Sequence, residues 1–171
     1  MFILLKVSGM ILIIICTTSI GMAMARTLSK RVSELKASIA VLGALERELS
    51  YSLTPPDEAI AKLEQLESFA AVAFLPACAS LCRQGIPFPS AWRRAVHEQR
   101  GELMPDDVTI LANLSETLGQ YDLEGQLSRI NQAKMQLQFQ LDGARERCKT
   151  HSKLYRTMGL LSGAFIVIVF I

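Results

Sequence analysis

Apolar residues are concentrated at the two ends of this 171-residue chain. Residues 7–25 carry no charge, and nineteen residues of α-helix at ~1.5 Å each extend roughly 28 Å, about the thickness of a bilayer's hydrocarbon core. The C-terminal segment is also uncharged from Met158 onward, and it reaches eighteen residues if Arg156 extends its guanidinium to the membrane surface. The pattern predicts two transmembrane helices, within residues 1–25 and 154–171.

Between these ends, apolar residues recur at three- and four-residue steps, the period of an amphipathic helix. The first such stripe, from Val32 to Leu49, predicts that the N-terminal helix continues beyond the membrane. Residues with capping or helix-starting preferences then mark new helices. The predicted starts are Thr54 (as N-cap, with Pro55 first in the helix), Phe69, Ser90, Pro105 and Asp122. We expect Pro76 to kink the third helix and Trp92 to anchor the fourth helix in the core.

The last helix repeats apolar residues from Leu127 to Cys148 and runs into the C-terminal segment. Lys134 interrupts this stripe, so we expect packing against the first long helix rather than an isolated coiled coil. Glutamines such as Gln132 and Gln136 fit either a solvated face or an assembly surface. The predicted fold is all-α: a membrane-anchored bundle of about six helices, with a central domain over residues 26–153 and long terminal helices continuous with the transmembrane segments.

Basic residues flank both apolar segments on the side of the central domain. They are Arg26, Lys30, Arg31 and Lys36 after the first segment, and Arg145, Arg147, Lys149, Lys153 and Arg156 before the second. By the positive-inside rule, both flanks place the central domain in the cytoplasm and both termini outside. The first flank also favours a retained anchor over a signal peptide, although residues 23–25 have the small-x-small form of a cleavage site. Cleavage after Ala25 would instead release a secreted helical protein.

Composition adds limits on chemistry. A net charge of +2 gives no reason to expect a nucleic-acid partner, and the mean hydropathy of +0.29 agrees with a membrane protein. The four cysteines are best explained as small apolar thiols in a reducing compartment, because they and the two histidines are not arranged as four clustered zinc ligands. The cysteines and histidines are Cys16, Cys78, Cys82, Cys148, His97 and His151. With no phosphate-binding loop, HExxH or CxxC motif, we predict no metal, no cofactor and no enzymatic activity.

Three stretches of the chain carry motifs. Glu48-Leu-Ser-Tyr51-Ser-Leu-Thr54-Pro55, followed by Glu58-Ala59, fits a pattern E-x-x-Y-x-x-T-P-x-x-E-A. Glu116-Thr-Leu-Gly119-Gln-Tyr-Asp122 fits G-E-T-L-G-x-x-D after its first residue, and Lys153-Leu-Tyr-Arg156-Thr-Met-Gly159 leads into the last apolar run. In this order and spacing, and with Ala91-Trp92, they resemble the stage III sporulation protein AB family of endospore-forming bacteria. Ser115 stands where that family's pattern has glycine, and Pro56 where it has leucine.

The resemblance implies a part in sporulation, as a subunit of a secretion-like channel complex between mother cell and forespore. It also implies that the central domain resembles the type II secretion F domain, whose L-x-x-x-G-x-P-L-x-x-A-L pattern is similar to the stretch from Leu81 to Trp92. The implied partners are other channel subunits and a cytoplasmic ATPase, which is the AA protein of the same system. A homo-oligomer is also compatible with the resemblance. The implied location is the mother-cell membrane facing the forespore, with the central domain in the cytoplasm.

On this basis we predict a non-enzymatic membrane platform or scaffold subunit. Its candidate partner-binding residues are Glu48, Tyr51, Glu116 and Asp122, the polar or amphipathic positions of the motifs. Each also fits a local structural role, such as helix capping by Asp122. The alternative function is a membrane-anchored helical sensor or adaptor. Long helices that leave the membrane favour that alternative, whereas the few residues left outside argue against a sensing site.

Overall fold

The fold was obtained as a computed structural model that describes residues 2–119 and 122–170, without most side chains of residues 2–14 and 152–170. Over the described residues the chain forms six α-helices and two short 3-10 helices, which confirms the all-α part of the predicted fold class. The α-helices are α1 (Phe2–Tyr51), α2 (Pro56–Leu63), α3 (Phe74–Arg83), α4 (Phe88–Glu98), α5 (Pro105–Asn113) and α6 (Leu123–Phe170). The 3-10 helices are η1 (Glu67–Phe69) and η2 (Leu114–Glu116).

The chain divides into two compact units. Unit 1 comprises Met1–Lys30 and Ala144–Ile171, and unit 2 comprises Arg31–Gly143. Among the described residues, no helix contains a stretch long and apolar enough to qualify as a membrane span. Large parts of both predicted transmembrane segments, including the side chains of residues 7–11 and 167–171, lie outside the described residues. The two anchors and the predicted domain boundaries therefore stay predictions.

Two predicted helix starts near prolines are displaced by a residue or more. Helix α2 begins at Pro56, and Pro55 rather than Thr54 occupies the N-cap position. Helix α4 begins at Phe88, after Pro87, and not after Ser90. Proline suits these positions because its fixed φ is already helical and its missing N–H would have no partner in the first turn. Thr54 is instead buried, and its hydroxyl accepts a hydrogen bond from Lys62 Nζ at 3.2 Å.

The predicted kink at Pro76 is wrong. The stretch predicted as one helix from Phe69 is divided into η1, a turn, and α3, which begins at Phe74. Pro76 is therefore the third residue of α3. In the first turn an N–H has no carbonyl four residues back within the helix, so a proline there removes no hydrogen bond.

Trp92 lies at the centre of the packing among α3, α4 and α5. Its side chain is fully buried, and its indole Nε1 donates a hydrogen bond to the Leu111 carbonyl at 2.7 Å. The ring of Phe74 meets it edge-on, with centroids 5.4 Å apart. Burying both the apolar ring and its satisfied N–H makes Trp92 a strong link between the short helices. The prediction that it anchors α4 in the core is confirmed.

A buried ion pair joins α1 to α5. Arg31 Nε and Nη2 donate to the two carboxylate oxygens of Asp107 at 2.9 and 3.1 Å, and Nη2 also donates to Gln140 Oε1 of α6 at 3.4 Å. Asp107 Oδ2 further accepts the Met104 N–H at 2.9 Å, which caps the start of α5. In the folded protein Arg31 is therefore a buried, paired side chain of unit 2 and not an exposed cation, while the topology predicted from the basic flanks stays a prediction.

Further polar contacts fix how α1 meets its neighbours in unit 2. Lys134, which interrupts the apolar stripe of α6, donates from Nζ to Glu46 Oε2 of α1 at 2.6 Å. Glu34 Oε2 accepts the Glu102 N–H at 2.7 Å and so holds the loop between α4 and α5. Lys134 of α6 therefore stabilises the pairing of α6 with α1 through this ion pair. The predicted packing of α6 on α1 is confirmed.

We expect the substitution Asp107→Asn to lower the free energy of unfolding by about 3 kcal/mol, because it leaves the buried Arg31 guanidinium without its counter-charge. The fluorescence of Trp92, the only tryptophan, followed during urea denaturation of the detergent-solubilised protein measures this loss. The exposed neighbour provides the matched control: Asp106→Asn should change the stability by less than about 0.5 kcal/mol. Equal losses of unfolding free energy in both variants would show that the buried ion pair contributes no more to stability than an exposed aspartate.

Candidate partner-binding surface

The C-terminal end of α1 carries the first family-like motif. Glu48 is half-buried and its Oε2 accepts a hydrogen bond from Lys62 Nζ of α2 at 3.1 Å. The same ammonium group donates to Thr54, so Glu48, Thr54 and Lys62 together fasten α2 to the end of α1. Tyr51, one turn after Glu48, is 86% exposed. Of this motif's two candidate residues, Glu48 has a structural partner and Tyr51 is presented to solvent.

Leu53 follows in an uncommon conformation. Its φ is +49°, in the left-handed region that L-residues other than asparagine and aspartate rarely adopt, and its side chain is 72% exposed. The backbone turns there, and the N–H groups of Ser52 and Thr54 return to the Glu48 carbonyl. Neither the conformation nor the exposure of this leucine is explained by core packing. Leu53 was not predicted as a site residue, because nothing in the local sequence pattern signals a left-handed leucine.

The second motif forms the connection from η2 to α6. Glu116 pairs with Arg93 of α4 at 3.1 Å, and the neighbouring Ser115 is fully buried with its hydroxyl accepting from Arg93 Nε at 3.2 Å. A serine in place of the family's glycine therefore packs without loss of hydrogen bonding. Gly119 ends the turn with φ +82°. Asp122 is exposed immediately before α6, and its carbonyl accepts the Gln126 N–H at 3.1 Å.

The fold brings the two motifs together at one end of unit 2. A Cβ placed on Gly119 would lie 3.9 Å from Cγ of Pro56, the first residue of α2. The turn after α1 and the turn before α6 are therefore neighbours, although more than sixty residues separate them in the sequence. We call this end of the bundle the tip. Among the residues described there, the exposed side chains include Tyr51, Leu53, Asp57, Glu58, Glu116, Asp122, Leu123 and Glu124.

A groove of about 390 Å³ extends from the tip between the α5–η2 segment and α6. Ile110, Leu114 and Ala133 provide apolar walls, and Glu116 and Arg129 bring opposite charges. Gln132 and Gln136 also line the groove. From the sequence, these glutamines fitted either a solvated face or an assembly surface. Arg129 and Ile110 were not predicted as groove residues, because no helix pattern reveals which side chains of two helices distant in sequence lie close together.

The cysteines do not form a reactive centre in the described part of the chain. All four are free thiols, and no three histidine, cysteine, aspartate or glutamate side chains converge there as metal ligands. Burial raises the pKa of the Cys78 thiol far above its usual range, and burial likewise raises the pKa of Cys82. Both thiols are therefore held in the protonated, weakly nucleophilic form, which fits the predicted role of Cys78 as a small apolar core residue.

Fold and surface together define a helical bundle in which buried and half-buried ion pairs connect the helices and whose tip offers apolar and acidic side chains to solvent. A family model described as Stage III sporulation protein AB matches residues 6–171, and the chain belongs to this family. Stage III sporulation protein AB of Bacillus subtilis (strain 168) is 24% identical over 169 residues, which cover 97% of this chain and 99% of that protein. The resemblance noted in the motifs is thereby confirmed.

A solved structure of a Stage III sporulation protein AB has the same fold. It superposes with a TM-score of 0.61 at 23% identity, over 70% of this chain and 96% of the solved one. At this identity the similarity establishes the fold. The roles of Glu48, Tyr51, Glu116 and Asp122 in binding stay predictions.

We expect Gly119→Ala to lower the free energy of unfolding by about 1 kcal/mol, because an alanine at φ +82° is strained. Gly143 is the matched control: it lies in α6 with open space around its Cβ position, so Gly143→Ala should stabilise the protein by roughly 0.5–1 kcal/mol. Urea denaturation monitored by circular dichroism measures both. A neutral or stabilising effect at Gly119 would show that the tip tolerates a different turn.

Proposed function

We propose that this protein is a non-enzymatic platform subunit of a secretion-like channel complex that acts in sporulation, and that its tip binds a cytoplasmic ATPase of the same system. One observation carries the proposal: two motifs of the family, distant in sequence, meet at the tip around side chains that the fold does not need. Exposed aromatic and aliphatic residues in the centre of a surface are typical of binding hot spots. Family membership supports the link to sporulation.

The charge of unit 2 indicates the chemistry of the partner surface. Its ten basic and fifteen acidic residues give it a formal charge of −5, and the tip carries exposed acidic side chains in addition to Tyr51 and Leu53. A complementary partner has a basic rim around an apolar pocket, since opposite potentials steer association and apolar anchors supply affinity. We assign this surface to the ATPase, and the groove lined by Gln132 and Gln136 to a neighbouring channel subunit.

The proposal places the protein in the mother-cell membrane facing the forespore, with its central domain, of the type II secretion F kind, in the cytoplasm. Large apolar side chains of unit 1 support an anchor in lipid, because they are exposed to solvent in the isolated chain. They are Leu12, Ile15, Ile20, Met22 and Met24 on α1, and Leu154, Met158, Leu161 and Phe165 on α6. A soluble environment would leave this surface uncovered.

No catalytic step belongs to this proposal. The most buried pairs of opposite charges in unit 2, Arg31 with Asp107 and Lys134 with Glu46, connect helices instead of lining a cleft. Their role is to hold the platform in one geometry. A platform of this kind contributes to the machine by positioning a motor relative to the membrane.

We expect the double substitution Tyr51→Ser with Leu53→Gly to reduce recovery of the ATPase from sporulating cells at least tenfold, because it removes the two apolar anchors of the tip. The stability of the variant should not fall, since glycine relieves the left-handed strain at position 53. Affinity purification followed by quantitative mass spectrometry measures recovery, and urea denaturation measures stability. Glu116→Gln with Asp122→Asn should weaken recovery less and mainly at low salt.

The matched control is Leu66→Ser with Met104→Ser, which removes two exposed apolar side chains of unit 2 outside the tip. This control should recover the ATPase as the unaltered protein does. If the tip variant also recovers it fully while remaining folded, the tip is not the ATPase surface. If neither the ATPase nor any channel subunit is recovered with the unaltered protein, the platform proposal itself fails.

The proposed topology is tested by single cysteines in a cysteine-free background. A cysteine at the exposed position Ser68 should resist a membrane-impermeant maleimide in intact cells, whereas cysteines added at either terminus should react. Permeabilised cells should label all three, which controls for folding and expression. Labelling of position 68 in intact cells would place the central domain outside and contradict the proposal.

A further inference from the structure

The small net charge of the chain conceals a strong asymmetry between its two units. Unit 1 contains eight lysines and arginines and one acidic residue, Glu146, so its formal charge is +7, against −5 for unit 2. The positively charged unit is also the unit that exposes large apolar side chains. Helix propensity does not require this combination. The combination indicates that unit 1 meets a surface that is both apolar and anionic.

Five of the eight cations of unit 1 lie at one level of its two helices. Ser29 Oγ of α1 and Cys148 Sγ of α6 are 3.5 Å apart, which shows that these positions of the two helices face each other. Five exposed cations lie within three residues of this contact, or ~4.5 Å along a helix axis. They are Arg26 and Lys30 on α1, and Arg145, Arg147 and Lys149 on α6. We call this set the basic collar.

Exposed apolar side chains lie beyond the basic collar on both helices, and on α6 they come after the polar residues 150–153. Toward the N-terminus of α1, the exposed Met24 and Met22 follow Arg26, and toward the C-terminus of α6, the exposed Leu154 and Met158 follow Lys149. Glu146 is the one carboxylate at this level. Along α1, away from the basic collar, cations are therefore followed by hydrocarbon. Along α6, Lys153 and Arg156 carry the cationic region into the first apolar residues before the uncharged stretch begins. This order matches that of phosphate and acyl chain in a phospholipid.

We propose that the basic collar binds the phosphate headgroups of anionic phospholipids, so that the protein selects an annulus of such lipids around its anchor. The inference rests on the membrane anchoring proposed above. Guanidinium groups form paired hydrogen bonds with phosphate oxygens, and clustered lysines add attraction to the surface charge. An acidic protein would satisfy the cations but would not account for the exposed apolar side chains next to them.

Lipid selectivity in a defined bilayer tests this binding. The full-length protein is reconstituted in phosphatidylcholine vesicles that contain a trace of spin-labelled phosphatidylglycerol or spin-labelled phosphatidylcholine, and electron paramagnetic resonance gives the motionally restricted fraction of each. We expect a preference for phosphatidylglycerol of about fivefold, the effect of one cation acting on an anionic headgroup. In 1 M salt, where the Debye length is about 3 Å, the preference should approach one.

The test variant replaces four cations of the basic collar with glutamine: Arg26, Lys30, Arg147 and Lys149. Its phosphatidylglycerol preference should fall to nearly one. The control variant makes the same change of charge with exposed cations of unit 2, namely Lys36, Arg47, Arg94 and Arg100. That variant should keep the full preference, which separates binding at the basic collar from a general effect of net charge.

Flotation of the vesicles after an alkaline carbonate wash separates the two proposals. A protein that floats with the vesicles and shows the expected preference supports the basic collar. A protein that floats but shows no preference, or whose preference survives in the collar variant, overturns the collar while leaving the anchor intact. A protein that does not float at all overturns both, because an unanchored unit 1 has no annulus of lipid.

Discussion

The bidentate ion pair between Arg31 and Asp107 is the contact on which the arrangement of unit 2 depends. Both side chains are almost without solvent, so neither charge can be stabilised by water if the other is displaced. The pair fixes one rotation and one axial position of α1 against α5, and the hydrogen bond to Gln140 extends the constraint to α6. Apolar packing alone tolerates small slips of one helix past another, whereas a fork of paired hydrogen bonds does not.

Other polar contacts follow the same logic at different levels of the bundle. Glu34 holds the loop before α5, Lys134 of α6 reaches Glu46, and Lys62 joins the end of α1 to α2. Each contact connects a charged side chain of one helix to a polar group of another element. The tip differs, because its Tyr51 and Leu53 are exposed and Leu53 is strained. Strain and apolar exposure that stability does not require are the features that connect this surface to binding.

The opposite charges of the two units give the proposed functions a common physical basis. A unit with a formal charge of −5 suits a partner that is basic, and a unit at +7 with exposed methionine and leucine side chains suits an anionic bilayer. Segregation of charge along one chain also prevents the two surfaces from competing for the same partner. A platform subunit needs both properties, since it must hold to the membrane while leaving its tip available to a motor.

The sequence by itself determined the helical architecture and the family, because a 3.6-residue apolar period and short ordered motifs are local properties of the chain. It could not place Pro76, since the same proline kinks a helix interior and is harmless in a first turn, and the start of α3 decides which applies. In the sequence Arg31 cannot be distinguished from the neighbouring cations. Its burial depends on Asp107, which is distant in sequence and becomes its partner only in the folded protein. Likewise, the motifs named Tyr51 and Asp122, but only the tertiary structure brought Pro56 against Gly119 and so made two separate motifs one surface. Long-range contacts of this kind depend on how whole helices pack, and no local pattern records that packing.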